Sequence, residues 1–450
     1  MKLDEIRNSS FTILGAGRSG IGIAKLLKKA GAKVFLSDSN PPEKLAYLDA
    51  GLLEKEGIEY EIGGHSEKVF DNDVFIKSPG IPPDSAVITD AVSKGKKVVS
   101  EIEAGYWFCE APIIAITGTN GKTTTTVLTG EMLKNADKDV KVCGNVGLAF
   151  SEVIPEVTKD SVVVLEVSSF QLDSIEEFKP RAAVFLNFKD DHLDWHKTRE
   201  NYMNAKMKIT MNQNESDLFV YNEDDAEIIK NLGNLRARKA GFGMIKGESN
   251  EGCYLEGETI YYYNKEMNEA VINTNEIFIK GLHNVYNSMA GIISAIEFGV
   301  SFDVIRETLR TFKGVEHRIE FVRELNGVRF YNDSKATNVE STKMALMSFD
   351  KNIVLILGGY GSANFDEIKS IVKDRVKKII AVGDSKEFVK ENFGELTDVS
   401  DTFEDAVTKA HSEAQPGDVI LLSPAYKSFD MFNNFEERGR EFKRIVNSLQ

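Results

Sequence analysis

The sequence predicts an α/β protein built from more than one parallel sheet covered by helices. Apolar, strand-like runs recur along the chain, and most of them end in glycine or in small polar residues. Segments with the helical spacing of apolar residues separate these runs. The chain has 450 residues, which is too many for one ordinary core. We therefore expect two or three domains.

The N-terminal domain is predicted to cover residues 1–99. FTILGAG and AKVFLSDSN have the composition of strands, and IGIAKLLKKAG between them has helical spacing. Further strand-like runs follow at DVFIKSPG and KKVVSE. The expected architecture is a small parallel sheet that ends near Ser100.

The central domain is predicted to cover residues 100–314. It opens with APIIAITGTNGKTT and continues with the buried-strand patterns SVVVLEVSS and RAAVFLNF. Between about residues 217 and 278 the pattern becomes polar and alternating, which predicts antiparallel strands at the periphery. GLHNVYNSMAGIISAIEFGV and SFDVIRETLRTFKG then predict two helices.

The C-terminal domain is predicted to cover residues 315–450. VRFYNDS, NIVLILGGYG, KKIIAVGDS and DVILLSPAYKSFD are apolar runs that end in small or polar residues, which predicts a second doubly wound sheet. Ligands bind such sheets at the carboxyl ends of the strands, so candidate functional residues are sought there.

Composition and charge exclude several classes of protein. A formal net charge of −15 argues against nonspecific binding to nucleic acid or to anionic membranes. No apolar run approaches the length of about 20 residues that spans a bilayer, and no export signal is visible. Cys109, Cys143 and Cys253 are too few and too scattered for a disulfide framework or a zinc site. A soluble, cytoplasmic monomer is expected.

The segment ITGTNGKTTTT has the features of a phosphate-binding loop. It follows a predicted strand and precedes a helical pattern, a context in which a glycine-rich turn exposes N–H groups to phosphate oxygens. Lys122 would then contact the β- and γ-phosphates and Thr123 would contact Mg²⁺. Ile116 occupies the position of the first glycine in the usual spacing. A plain strand-to-helix turn is the alternative.

A second glycine signal lies near the N-terminus. Gly15, Gly17 and Gly20, followed by Asp38 at the end of the next strand, match the dinucleotide-binding fingerprint. This fingerprint alone would predict NAD binding and hydride transfer, although nothing else in the sequence indicates a redox site. A sugar-nucleotide site or an ordinary tight turn is equally compatible.

Several polar residues follow predicted strands or lie on predicted helices. Glu166 ends a strand where its carboxylate could coordinate the Mg²⁺ of a nucleotide, with helix capping as the alternative. The carboxylates around His192, at positions 190, 191 and 194, could bind a second metal ion, but a polar loop is favoured. Lys206 on a predicted helix suggests a solvated face. Exposed turns are the common explanation for the residues around the third domain's strand ends, which are His317, Arg318, Asp333, Ser334, Lys335 and Ser428.

Together these segments resemble the Mur ligases of peptidoglycan synthesis over essentially the whole chain. GTNGKTT and HRIE are shared across that family, whereas LEVSSFQL, LNFKDDHLDWH, YNDSKATNVEST and LLSPAYKSFDMFNNFEERG resemble the members that add D-glutamate. The resemblance implies an N-terminal Rossmann-like domain for the UDP-sugar, a central P-loop ATPase-type domain and a C-terminal Rossmann-like domain for D-glutamate. It also sets aside the NAD interpretation.

The resemblance implies a role for each candidate residue. The UDP end of the substrate would face Arg18, Ser19, Asp38 and Ser39, with Ser78, Pro79 and Gly80 nearby. ATP would be bound by Gly118, Thr119, Asn120, Gly121, Lys122, Thr123, Thr124, Asn284 and Asn287, and by Arg318 and Asp333 from the third domain. Asn145, Ser168 and His192 would contact substrate or metal ions, and D-glutamate would be bound by Thr337, Ser428, Phe429 and Phe435.

The resemblance also implies cofactors and a reaction. Two Mg²⁺ ions would be held by Thr123, Glu166, His192 and Lys206, with Lys206 converted by CO₂ into an anionic carbamate. The substrate's L-alanine carboxylate attacks the γ-phosphorus of ATP, and the amine of D-glutamate then attacks the acyl phosphate. Lys122, Glu166, His192, Lys206 and Lys335 would be catalytic, and the third domain would close to deliver Lys335 and exclude water.

One departure from the family pattern lies in the third domain. Relatives usually carry a basic residue in the loop after the strand VLILGG, where it helps to bind a glutamate carboxylate. This chain has Tyr360, Gly361, Ser362, Ala363 and Asn364 there, and its loop is one residue shorter. Lys427, immediately before Ser428, could supply the missing charge. Rival interpretations are a ligase for another amino acid and a nucleotide-binding regulatory protein without ligase chemistry.

Overall fold

The computed structural model describes residues 1–45 and 47–450, and the side chain of Asp194 lies outside the description. The chain forms two compact units. The first comprises Met1–Phe278 with Leu282–Thr311, and the second comprises Ile279–Gly281 with Phe312–Gln450. The first unit contains two sheets and the second contains one. The domain boundaries at residues 99/100 and 314/315 stay predictions.

The N-terminal sheet has five parallel strands in the order β3-β2-β1-β4-β5. The strands are β1 (Ser10–Leu14), β2 (Lys33–Asp38), β3 (Glu59–Ile62), β4 (Val74–Lys77) and β5 (Lys97–Ser100). The predicted small parallel sheet is confirmed. Strand β3 was missed because its sequence, EYEI, is polar and only partly buried at the edge of the sheet.

Helices pack against this sheet through their apolar faces. They are α1 (Leu3–Arg7), α2 (Arg18–Lys29), α3 (Ala50–Lys55), α4 (Ala86–Ser93) and α5 (Glu101–Tyr106). In α2 the residues Ile23, Ala24 and Leu27 are fully buried, as the helical spacing of the segment predicts. This places the first residues of α2 beside the carboxyl end of β1.

The central sheet has nine strands in the order β14-β13-β12-β11-β10-β9-β6-β8-β7. They are β6 (Ile113–Thr117), β7 (Val140–Gly144), β8 (Val162–Glu166), β9 (Ala182–Phe185), β10 (Leu218–Asn222), β11 (Arg238–Gly243), β12 (Gly252–Glu256), β13 (Thr259–Tyr263) and β14 (Asn268–Asn273). Its helices are α6 (Lys122–Lys134), α7 (Phe150–Val153), α8 (Ser169–Leu172), α9 (Leu193–His196), α10 (Arg199–Met207), α11 (Ala226–Lys230), α12 (Leu282–Glu297) and α13 (Phe302–Thr311). The last two are the two predicted helices.

The expectation that residues 217–278 form antiparallel strands is only partly correct. Strands β10, β11 and β12 extend the parallel sheet, and antiparallel pairing begins only at β12 with β13 and β14. The whole of β10 is buried. Its sequence, LFVYN, is therefore that of an interior parallel strand rather than a peripheral one.

The second unit has a six-stranded sheet in the order β15-β16-β20-β17-β18-β19. Its strands are β15 (Glu320–Leu325), β16 (Val328–Asn332), β17 (Ile353–Leu357), β18 (Val376–Ala381), β19 (Thr397–Val399) and β20 (Val419–Leu422), with helices α14 (Val339–Met347), α15 (Lys369–Arg375), α16 (Lys386–Phe393), α17 (Phe403–Glu413) and α18 (Phe435–Ser448). All pairs are parallel except β15 with β16. The predicted doubly wound sheet is confirmed.

Candidate nucleotide and substrate sites

The predicted phosphate loop connects β6 to α6. Gly118 has φ +151° and Gly121 has φ +84°, and Gly121 is the N-terminal cap of α6. A Cβ atom on Gly121 would overlap the side-chain oxygen of Asn287. Glycine is therefore required at position 121 for both its backbone conformation and the space around it.

Helix α12 holds two predicted nucleotide-binding residues against this loop. The Asn287 side-chain oxygen accepts a hydrogen bond from Thr125 Oγ1 at 3.2 Å, and Asn287 Nδ2 donates to the side-chain oxygen of Asn284 at 3.1 Å. Asn287 is buried. The structure thus brings Asn284 and Asn287 beside the loop, and their contact with ATP stays a prediction.

Asn187, which the sequence analysis did not select, fixes the other side of the loop. Its backbone oxygen accepts from Thr119 N at 3.0 Å, and its side chain exchanges two hydrogen bonds with the backbone of Asn120, at 2.9 and 3.0 Å. Asn187 follows β9, which pairs with β6. The rule that functional residues follow parallel strands could therefore have identified it.

Two lysines converge on one carbonyl oxygen of the loop. Lys122 Nζ donates to the backbone oxygens of Gly118 at 2.9 Å and Thr119 at 2.8 Å. Lys206 Nζ, from α10, donates to the same Gly118 oxygen at 2.8 Å. Lys206 is only 1% exposed, so its interpretation as part of a solvated helix face is wrong. Burial, and then repulsion by Lys122, holds the pKa of Lys206 well below its usual value.

Glu166 lies at the carboxyl end of β8, directly beside β6. Its register partner is Ile116, and the residue is 2% exposed. One carboxylate oxygen accepts from Asn145 Nδ2 at 2.9 Å, which brings two predicted site residues together. The other oxygen, Oε2, is buried and has no hydrogen-bond partner among the described residues. An anionic oxygen in that position suits a hard cation such as Mg²⁺.

The rest of the predicted metal set is placed as follows. Thr123 is buried in the first turn of α6. His192 has a left-handed backbone and a half-exposed ring that lies 4.7 Å from the ring of Phe170, centroid to centroid. Within the described part of the chain, no group of three or more His, Cys, Asp or Glu side chains could hold a metal ion. A metal site here would depend on Thr123 and Lys206 as well as Glu166.

Ser168 and His196 occupy the segment near His192. The Ser168 hydroxyl caps α8 by accepting from Gln171 N at 3.3 Å, so its described role is structural. His196, which sequence analysis missed, is buried, hydrogen-bonds Ser169 Oγ at 2.9 Å and stacks on Phe170. Nothing in the spacing of LNFKDDHLDWH distinguishes its buried imidazole from the exposed one of His192. The predicted position 194 lies outside the described side chains.

Predicted residues for the UDP end gather around a cavity of about 240 Å³ in the first unit. Arg18, Ser19 and Pro79 line it, together with Asn145, which is predicted to contact substrate or metal ions. The Arg18 guanidinium donates to the backbone oxygen of Gly147 at 3.0 Å. These residues come from the N-terminal and the central sheet regions, which the sequence could not show to be adjacent.

The remaining predicted residues of this group lie around the first glycine-rich turn. Asp38 accepts from Ala16 N at 2.7 Å and from Asn40 N at 2.8 Å, so its carboxylate holds the turn in place. Ser78 lies against Gly15 and is 3.4 Å from the Ser19 hydroxyl, oxygen to oxygen. Ser39 and Gly80 are exposed.

In the second unit, Asp333 is the centre of a buried polar group. Its carboxylate accepts from Ser423 Oγ at 2.7 Å and from Ile319 N at 3.2 Å. Burial raises the pKa of Asp333 to about 7, although the Ser423 hydrogen bond and Arg318 act in the opposite direction. Lys335 Nζ lies 6.0 Å from the Phe435 ring centroid. Arg318, Thr337 and Lys335 are half-buried, and their roles stay predictions.

Lys427 lies beside the shortened loop that follows β17. Tyr360 N donates to the Lys427 backbone oxygen at 2.9 Å, and the two residues form an antiparallel bridge. Lys427, Tyr360 and Phe429 are all exposed, whereas Ser428 is buried. The structure therefore places the backbone of a basic residue next to the loop in which the family's basic residue is missing.

Gly121→Ala should weaken ADP binding by about tenfold. The substitution strains a backbone with φ +84° and displaces Asn287, which together cost about 1.4 kcal/mol or more. Titration calorimetry with ADP measures the effect. The matched control is Gly257→Ala, at φ +62° in the turn between β12 and β13 with no atom within 4 Å, which should bind ADP as the wild type does. Equal ADP affinity in Gly121→Ala and wild type would contradict the assignment.

Among the described residues, no helix is long and apolar enough to cross a membrane. Three domain families match the chain in order: the MurD N-terminal domain at residues 10–87, the Mur ligase middle domain at residues 116–295 and the Mur ligase, glutamate ligase domain at residues 317–426.

Whole-chain comparisons agree with these matches. The UDP-N-acetylmuramoylalanine--D-glutamate ligase of Salinibacter ruber is 44% identical over 463 aligned positions that cover 100% of both chains. Its counterpart from Caldicellulosiruptor bescii is 41% identical and covers 99% of each. Among solved structures, the UDP-N-acetylmuramate-alanine ligase of Thermotoga maritima has a TM-score of 0.59 at 20% identity, covers 98% of this chain and 99% of its own, and thus shares the fold. The chain belongs to the Mur ligase family of ATP-dependent amide-bond-forming ligases.

Proposed function

We propose that this protein adds D-glutamate to UDP-N-acetylmuramoyl-L-alanine at the expense of ATP, during peptidoglycan precursor synthesis in the cytoplasm. The observation that carries the proposal is the loop at Gly118, where Lys122 and Lys206 donate to one carbonyl oxygen beside Glu166. The full-length relatives that carry this reaction in their names support the choice of amino acid and acceptor.

The first chemical step brings two anions together. The L-alanine carboxylate attacks the γ-phosphorus of ATP, ADP leaves, and an acyl phosphate forms. Lys122 and the N–H groups at the start of α6 neutralise and orient the phosphate oxygens. Mg²⁺ would be held by Thr123 and by the unpartnered oxygen of Glu166, and when bound it supplies further positive charge to those oxygens. Asn145 keeps the Glu166 carboxylate in position through its hydrogen bond.

Lys206 has the environment that carbamate formation requires. Only the neutral amine reacts with CO₂, and burial together with the Lys122 charge favours the neutral form of Lys206. The product is an anionic carbamate, which the positive charge of Lys122 attracts rather than repels. The carbamate oxygens would then help to hold Mg²⁺, with His192 as a further contact to substrate or metal.

The second step needs the amine of D-glutamate and groups that bind its two carboxylates. The α-amine of D-glutamate attacks the acyl phosphate, the amide bond forms, and inorganic phosphate leaves. In the second unit, Ser428, Thr337, Phe429 and Phe435 would form the amino-acid pocket, with Lys427 on one carboxylate. Lys335, Arg318 and Asp333 would serve the nucleotide. No protein nucleophile is involved.

Phosphate release should depend on D-glutamate alone among the amino acids. The assay contains MgATP, UDP-N-acetylmuramoyl-L-alanine and one amino acid at a time, and it follows inorganic phosphate. Lys122→Met should lower the rate by at least about a hundredfold because the developing phosphate charge loses its cation. Lys134→Met, at the exposed far end of the same helix, should leave the rate unchanged. Turnover with another amino acid instead would overturn the specificity.

Activity should fall when dissolved CO₂ is removed and should return with bicarbonate but not with equal chloride. The reason is that Lys206 must be carbamylated to hold its place in the metal site. Lys206→Arg should be inactive under both conditions. A readout independent of activity is the carbamate signal in ¹³C NMR after addition of ¹³C-bicarbonate, which should be present in wild type and absent in Lys206→Arg. Identical ¹³C spectra for the two proteins would exclude the modification.

Lys427→Ala should raise the KM for D-glutamate about tenfold or more while the KM for ATP stays constant. A charge-assisted hydrogen bond contributes about 1.5–3 kcal/mol, which corresponds to a factor of that size. Steady-state kinetics with each substrate varied in turn gives both constants. Lys351→Ala, an exposed lysine just before β17, is the control. An unchanged D-glutamate KM in Lys427→Ala would refute this role.

A further inference from the structure

Glu101, which none of the predicted roles includes, lines the same cavity as Arg18 and Asn145. It is the first residue of α5 and is 2% exposed. Its Oε1 accepts a hydrogen bond from Ser151 N at 2.7 Å. Its Oε2 is buried and has no hydrogen-bond partner among the residues that the structure describes. A buried, unpaired carboxyl oxygen costs about 1–3 kcal/mol, so it needs an explanation.

The other groups around the cavity favour an anionic ligand. Helix α2 has 12 residues and begins with Arg18 and Ser19, and among the described residues no side chain caps its N-terminus at Gly17. The unpaired N–H groups of such a helix end attract phosphate oxygens. Arg18 adds a full positive charge at the cavity wall. An ionised carboxylate among these groups would repel the ligand that they attract.

We infer that Glu101 binds the diphosphate of the UDP-linked substrate as a neutral carboxylic acid, with Oε2 donating its proton to a phosphate oxygen. The inference rests on the proposed function, because it takes the UDP-linked substrate as the occupant of the cavity. The geometry assigns the proton to Oε2, since Oε1 is already an acceptor for Ser151 N. Glu101 is thus a substrate-binding residue that contributes a donor rather than a charge.

The surroundings of Glu101 allow this protonation near neutral pH. Burial raises the pKa of Glu101 to about 7, the hydrogen bonds from Ser151 lower it, and the nearby Glu152 carboxylate raises it. The other titratable groups around it are Arg18 and Tyr47 on the cavity wall and the thiol of Cys143. Of the described residues that line the cavity, none is a histidine.

The sign of the pH dependence follows from this pKa. Below pH 7 Glu101 already carries its proton and binds without further cost. Above pH 7 the free protein must take up a proton before the hydrogen bond can form, so binding weakens by up to tenfold per pH unit. The substrate's own charge is constant between pH 6 and pH 8, because each phosphate carries one ester and one anhydride bond and has only a strongly acidic hydroxyl left, and because the carboxyl group is fully ionised.

The experiment measures the affinity of the wild-type protein for UDP-N-acetylmuramoyl-L-alanine by calorimetry at pH 6 and pH 8. We expect binding to be about tenfold weaker at pH 8. At pH 8, the binding enthalpy should also differ between two buffers with different ionisation enthalpies, because a proton is taken up. These readouts do not depend on catalysis.

Glu101→Gln tests the donor directly. The amide oxygen can accept from Ser151 N and the amide nitrogen can donate to the phosphate, so this variant imitates the protonated acid at every pH. Its affinity should match that of wild type at pH 6 and should not change at pH 8. Glu101→Ala should bind about tenfold more weakly at pH 6. Glu110→Gln, an exposed residue just after α5, is the control and should keep the wild-type pH dependence.

The outcomes separate this inference from the function on which it rests. If wild type binds the ligand equally well at both pH values, or if Glu101→Gln keeps a tenfold loss, Glu101 is only a structural partner of Ser151 and the inference is overturned. If wild type fails to bind the UDP-linked substrate at any pH, the proposed function fails instead. Thermal unfolding of each variant shows whether a loss of affinity reflects loss of the fold.

Discussion

The backbone oxygen of Gly118 accepts hydrogen bonds from two lysines, and the central part of the molecule is arranged around that contact. Two ammonium charges that share one carbonyl oxygen in a largely buried site repel each other, which disfavours the charged form of the more buried lysine. Lys206 is the more buried of the two, and its burial, together with the Lys122 charge, holds its pKa well below the usual value. Lys122 and the N–H groups at the start of α6 form a local positive site for phosphate oxygens, in a chain whose net charge is −15.

The order of the strands in the central sheet places Glu166 and Asn187 beside the loop that follows β6. Strands β8 and β9 flank β6 in parallel, so the residues that follow all three strands meet at one edge of the sheet. Glu166 ends β8 and lies on one side of the loop, and Asn187 follows β9 and lies on the other side. Asn187 is bonded to the loop backbone through both its main chain and its side chain, which fixes the loop independently of any ligand. A rigid loop is what in-line phosphoryl transfer requires, because misplacement of the reacting atoms is costly.

Sequence patterns could predict the strands, the loop and the residues at strand ends, because these depend on local periodicity and on the topology of parallel sheets. They could not predict which side chains contact one another in the folded chain. Helical spacing puts Lys206 on the same face of α10 as Tyr202 and Met203, but the sequence does not show what that face packs against. Likewise, Glu101 and Arg18 are far apart in sequence and meet only when the N-terminal sheet and its helices have formed. The parallel pairing of β10 to β12 was missed because a strand's neighbours are set by the whole sheet rather than by its own composition.

An acidic protein that binds ATP and a UDP-linked substrate must keep its own carboxylates from opposing them. The chain has carboxyl groups near its binding sites in two different arrangements. Glu166 lies beside the loop, and its Oε2, which has no hydrogen-bond partner among the described residues, leaves a place for a cation between the carboxylate and a phosphate. Glu101 in the first unit and Asp333 in the second are buried deeply enough that the pKa of each rises to about 7, which makes the neutral acid available near physiological pH. Burial therefore reduces the negative charge of these two carboxyl groups near neutral pH without changing the residue type, an effect that composition and net charge cannot indicate.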